Sequence, residues 1–90
     1  MPKAPEVLHA EVAAGIAANA LLESAAYTAA MKAAAERIVA EWSKCEDPAK
    51  REILWAEQRG LLRLAKGLNK AKSDGRLAKD ALRVGEVPEA

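Results

Sequence analysis

Between Ser24 and Leu68 apolar positions recur every three to four residues, once before and once after Cys45-Glu46-Asp47-Pro48. That is the period of an amphipathic helix, so the segment reads as two helices joined by a short turn. In the second of these helices Leu54, Leu61, Ala65 and Leu68 share one face. Ile53 and Leu64 widen it on one side, Trp55 and Leu62 on the other. The resulting apolar arc covers roughly 200°, where a surface helix needs a stripe of little more than ~100°. One neighbouring helix cannot cover it. The pattern predicts a protein interface through Leu61, Leu62, Leu64, Leu68 and Trp55, formed first of all with another copy of the chain in a homo-oligomer.

The rest of the chain divides by the same logic. Over residues 6–22 the spacing Leu8, Val12, Ile16, Asn19 follows one helical face, and Gly15 with its flanking alanines makes this helix thin enough to approach a neighbour closely. Ser24 is suited to cap a second helix over 25–44, its hydroxyl accepting from an otherwise unpaired N–H. A single helix from Glu6 to Trp42 is the competing reading. Tyr27, Met31, Ala34, Ile38, Trp42 and Cys45 line the second helix's core face, with Lys32, Glu36 and Ser43 opposite. Asp47 can cap the third helix and Pro48 occupy its first position, where a fixed φ is already helical. A turn this short makes the flanking helices antiparallel. The third helix is expected over 48–72, stopped by Ser73-Asp74-Gly75 with Gly75 as a left-handed C-cap. Residues 76–84 could form a short fourth helix presenting Leu77, Ala81 and Val84, and 85–90 is expected to be a loose tail. The expected fold is all-α and a single domain over 1–90. It is an antiparallel helical hairpin with an additional N-terminal Ala-rich helix and a short C-terminal helix, completed by oligomerisation.

Composition sharpens this and removes several functions. Half of the 90 residues are hydrophobic, yet there is no Phe, one Tyr and two Trp. Alanine supplies much of the apolar content and is the strongest helix former. A chain this short buries little core, and with Cys45 as the only cysteine no disulfide can reinforce it. One Cys and one His (His9) do not make a zinc site. No catalytic, cofactor or metal constellation is visible, so the chain reads as a non-enzyme without cofactors. Nothing resembles a secretory signal, and no run approaches the ~18 apolar residues of a membrane span, so no membrane partner is expected.

Net charge is only +1, but its distribution is uneven: residues 1–58 carry 6 basic and 9 acidic side chains, and 59–83 carry 8 and 2. Arg59, Arg63, Lys66 and Lys70 follow i, i+4, i+7, i+11 and so line one helical edge, a candidate contact for an anionic partner. With Lys72, Arg76, Lys79 and Arg83 beyond it, the region could meet nucleic-acid phosphates. Yet the stripe points away from the leucine face, where any soluble helix carries charge. It also lacks aromatics to stack on bases, so nucleic acid is not the favoured partner. Gly60 and Gly67, seven residues apart on one edge, suggest close approach of another backbone, or simple tolerance of two weak positions. Trp42 and Trp55 flank the turn, more as core anchors than as interface hot spots. His9 is expected on a helix surface, and Cys45 at the end of its helix's apolar face.

One group of proteins shares this layout. Leu21-Leu22-Glu23-Ser24-Ala25-Ala26-Tyr27, then Ala30-Met31, Glu36-Arg37-Ile38, Glu41-Trp42, Asp47-Pro48, Arg51-Glu52 and Leu54-Trp55 resemble small helical-hairpin proteins encoded in head-gene clusters of tailed bacteriophages. The likeness covers residues 21 to about 68. Where that group usually has Asp-Pro at the start of its first hairpin helix, this chain has Ser24-Ala25. The resemblance implies a virion component or an assembly accessory, located in the virion or the bacterial host cytoplasm, with other virion or assembly proteins as partners. It transfers no catalytic residue. The alternatives are a nucleic-acid-associated protein using the basic stripe, or a small inhibitor or adaptor of a host or viral protein.

Overall fold

The computed structural model describes residues 3–86. Three helices account for nearly all of them, and no strand occurs among the described residues: α1 (Pro5–Glu23), α2 (Ala25–Lys44) and α3 (Pro48–Glu86). Proline opens both α1 and α3, at the position where its missing N–H costs nothing. Contacts group the chain into two compact units, one made of residues up to Leu22 and from Gly67 onward, the other of Glu23–Lys66.

In the Glu23–Lys66 unit α2 packs on the first half of α3. The junction before α2 is a real break. Ser24 leaves the helical region (φ −68°, ψ 126°), and its Oγ accepts a hydrogen bond from the Tyr27 N–H at 3.3 Å. At the far end Cys45 is extended (φ −89°, ψ 122°). Asp47 Oδ1 then accepts from the Ala49 N–H at 3.0 Å, capping α3 as its sequence suggests. The Arg51 guanidinium reaches back across the turn, donating to the Cys45 carbonyl at 2.9 Å and the Trp42 carbonyl at 3.4 Å. Both are among the last carbonyls of α2, where intrahelical donors run out; that of Trp42 also accepts from the Cys45 N–H at 3.3 Å, and a cation there suits the helix dipole.

Between the two helices Ile38 is 2% exposed and Leu54 is likewise buried. Tyr27, Met31, Ala34, Gln58, Leu61 and Ala65 are half-buried around them. The expected core face of α2 therefore holds except at Trp42, which is 42% exposed. Its ring is covered instead by Arg51, whose guanidinium lies 3.8 Å from the ring centroid, a cation–π contact. Trp55 is also exposed, so neither tryptophan is a core anchor. Each helix of a two-helix unit has one neighbour, and the side chains beyond the contact stripe stay outside it.

The other unit pairs α1 with the C-terminal part of α3. Here α3 departs from the expected end at residue 72: Ser73, Asp74 and Gly75 are helical, and the helix continues through Gly85 to Glu86. Among the described residues there is no separate fourth helix, and residues 85 and 86 belong to α3 rather than to a tail; the rest of the expected tail, 87–90, lies outside the described residues. The Ser-Asp-Gly signal fails for two reasons. Asp74 is held within the helix by Lys70 one turn earlier, at 2.5 Å. Gly75 has no positive φ; it is small because a neighbour touches it.

That neighbour is Gly15. Both glycines are buried, alongside Ala18 of α1 and Ala78 of α3. The thin α1 expected from its glycine and alanines does approach another helix closely. Gly60 and Gly67 behave oppositely: nothing lies within 4 Å of where their Cβ atoms would sit, so close packing does not explain them. The face of α1 is rotated from the one read in the sequence. Glu11, Gly15, Ala18 and Leu22 join Leu8, Val12 and Asn19 at the contact, while Ile16 is 68% exposed.

Candidate functional site

Unit by unit, the surface carries more large apolar side chains than two-helix packing can hide. In the Glu23–Lys66 unit the contact stripe of α3 runs through Leu54, Gln58, Leu61 and Ala65. Trp55 and Leu62 lie about 100° and 80° round the helix from Leu54, on the flank where Arg51 meets Trp42. Val39 and Trp42 of α2 stand on that same flank by spacing. All four are exposed, Trp55 at 55% and Leu62 at 58%. Both indoles of the chain thus share one wet apolar surface.

The opposite flank is different in chemistry. Ile53 and Leu64 are exposed there, but the helices are also tied by charge. Arg37 donates to Glu41 on its own helix at 3.2 Å and to Glu57 of α3 at 3.2 Å. The Glu41 bond first, then the Glu57 bond, holds the guanidinium proton more firmly than usual. Ion pairs so exposed contribute little net stability, though this triad fixes which edges of α2 and α3 adjoin.

Of the five apolar residues singled out in the sequence, Trp55, Leu62 and Leu64 are exposed and available. Leu61 and Leu68 are half-buried, each within the helix pairing of its own unit. Arg59, Arg63 and Lys66 are exposed on α3. Lys70 is exposed as well, but it is engaged by Asp74, whose hydrogen bond raises the lysine's pKa while its own falls below the usual carboxylate range.

His9 is exposed, and Cys45 is half-buried with its Sγ 3.6 Å from the Asp47 carbonyl. Among the described residues no group of three or more His, Cys, Asp or Glu could hold a metal ion. No helix of the described residues is long and apolar enough to cross a membrane. Among the described residues, Asn19 Oδ1 and the Tyr27 hydroxyl are buried without a hydrogen-bond partner. Sequence periodicity did not single out Tyr27 as anything beyond a core position, nor Asn19 beyond a helical face. No protein-family model, curated protein or solved structure matches the chain.

Proposed function

We propose that this is a non-enzymatic structural or assembly accessory protein of a phage particle, working through helix-mediated protein–protein contacts, the first of them with a second copy of itself. The supporting observation is the exposed flank formed by Val39, Trp42, Trp55 and Leu62. Covering a Leu or an aromatic of this size stabilises a contact by about 1.5–3 kcal/mol per side chain when burial is complete. Tryptophan is also prominent among the residues that dominate interfaces. Under a two-fold axis the same flank of each copy would face the other, bringing the two apolar rows together. The phage assignment rests on the helical-hairpin resemblance of residues 21–68, and it places the protein in the virion or the host cytoplasm.

The test is sedimentation equilibrium of the purified chain across micromolar concentrations. Wild-type protein is expected to be a dimer or larger. Leu62→Glu, on an exposed position, is expected to give a folded monomer, because an unpaired charge is costly to desolvate. A compact, stable wild-type monomer throughout refutes self-assembly. Absence of the chain from purified particles and from their assembly intermediates refutes the phage role.

A further inference from the structure

The unit formed by α1 and the C-terminal part of α3 has an open groove of about 500 Å³ along one flank. Val12 and Ile16 of α1 and Leu82 of α3 supply apolar surface; Lys72, Arg76, Lys79 and Arg83 of α3 surround it, and no acidic residue lines it. Arg83 is paired with Asp80 at 2.9 Å; Lys72, Arg76 and Lys79 have no ion-pair partner among the described residues. Asn19 also lines the groove, and its Oδ1 is buried without a donor.

From this arrangement we infer that the groove takes an acidic amphipathic helix of a partner protein, which completes a three-helix bundle. The inference rests on reading the chain as a protein–protein assembly component and names the chemistry of one partner. Charge sets the sign: three unpaired cations beside an apolar floor leave a surface that an anionic ligand complements. Spacing sets the shape. The cations stand at i, i+4, i+7 and i+11, rising about 6, 10.5 and 16.5 Å along α3. A partner helix with Asp or Glu at the same spacing stays in step, whereas one face of an extended strand repeats every ~6.8 Å and falls out of register by the third residue.

The floor distinguishes among anions. Nucleic-acid phosphates would neutralise the cations but leave Val12, Ile16 and Leu82 in water, and no aromatic residue is present to stack on a base. A fatty-acid chain would cover the floor, but its single carboxylate meets only one end of a row of cations about 16.5 Å long. An acidic amphipathic helix covers the floor and meets the whole row.

The experiment is fluorescence anisotropy with a labelled synthetic helix of about 18 residues, ~27 Å long, bearing a leucine stripe and Glu at i, i+4, i+7 and i+11. The same peptide with Lys replacing Glu is the control, and a mixed-sequence duplex oligonucleotide and oleate are the competing ligands. The acidic peptide is expected to bind saturably, more weakly as salt rises, and at least about tenfold more tightly than the Lys peptide. In the Arg76→Glu/Lys79→Glu variant that preference is expected to disappear, because the row then carries two cations and two carboxylates. Ile16→Gln, at an exposed position, is expected to weaken the acidic peptide with an unchanged salt slope, and it serves as the test if the double variant does not fold. No saturable binding, binding indifferent to these changes, or tighter occupation of the groove by oligonucleotide or oleate overturns the inference. Leu62→Glu, in the other unit, is expected to abolish self-association while leaving peptide binding intact. Self-association without peptide binding therefore removes the groove partner alone, and peptide binding by a strict monomer removes self-assembly alone.

Discussion

Gly15 and Gly75 meet backbone to backbone. A Cβ on Gly15 would lie 2.8 Å from the Gly75 Cα and 2.9 Å from the Ala71 carbonyl oxygen. One on Gly75 would lie 2.7 Å from the Gly15 Cα and 2.9 Å from the Glu11 carbonyl oxygen. The relationship is reciprocal, each glycine facing its counterpart and the carbonyl four residues before it. No flexible side chain is present at the contact to give way.

Alanine scanning of the glycines is therefore expected to change sign with position. Gly15→Ala and Gly75→Ala should each destabilise the protein, because relieving overpacking against backbone costs about 1–3 kcal/mol. With backbone atoms only 2.7–2.9 Å away the cost falls in the upper part of that range, above the roughly 1 kcal/mol gained by removing glycine from a helix interior. Gly60→Ala and Gly67→Ala face open space and should stabilise α3 by about 0.5–1 kcal/mol. Urea unfolding of the four variants checks this, and four shifts of the same sign would contradict the packing described.

Truncation after Ser73 is expected to cost more helix than the deleted residues themselves. It removes Gly75, against which Gly15 of α1 rests, together with the buried Ala78 and the half-buried Leu82. α1 contains Gly15 and the β-branched Val7, Val12 and Ile16, and such a helix owes most of its stability to packing on its neighbour. Far-UV circular dichroism should show α1 melting with the deletion. A loss limited to the end of α3 would mean that α1 holds without the contact.

Both caps are expected to be measurable. Ser24→Ala removes the acceptor of the Tyr27 N–H, and Asp47→Ala removes that of the Ala49 N–H. Each should cost about 1 kcal/mol. Ser24→Gly should cost only a few tenths, because glycine tolerates the cap conformation. Thermal melts that leave Ser24→Ala unchanged would mean that α1 and α2 can run on as one helix.

The Lys70–Asp74 pair predicts a shallow pH dependence with a definite sign. Asp74's folded pKa is lowered by the hydrogen bond from Lys70, so its contribution is present above the ordinary carboxylate range and lost as pH falls through the depressed value. Lys70's is raised by the same bond, so its contribution is present below the ordinary lysine value and lost as pH climbs through the raised one. Both groups are exposed, so the effect is small and fades with salt. Lys70→Gln should flatten the acid limb of the stability curve at low salt and leave it unchanged at high salt; an unaltered limb at low salt would mean the pair is not formed in solution.

Local chemistry was legible wherever neighbours in the chain decide the outcome. The helical period, Ser24 and Asp47 as caps, Pro48 at a first helical position and the α2 boundaries at 25 and 44 all follow from interactions within a few residues. The face through Leu54, Leu61, Ala65 and Leu68 follows in the same way, as does the exposure of Arg59, Arg63, Lys66 and Lys70 on the other side. The tertiary structure decided what depends on residues far apart. Ser73-Asp74-Gly75 carries a helix-stop signal by composition, but a Gly that ends a helix and a Gly that admits another backbone are the same residue, and only the arrival of Gly15 separates them. Trp42 sits at a core spacing, yet Arg51, nine residues away, covers its ring and leaves it half in water. The groove beside Val12, Ile16 and Leu82 exists only because two segments some sixty residues apart are brought together at a glycine contact. Propensity and capping act over one helical turn, whereas packing depends on which surface a helix meets.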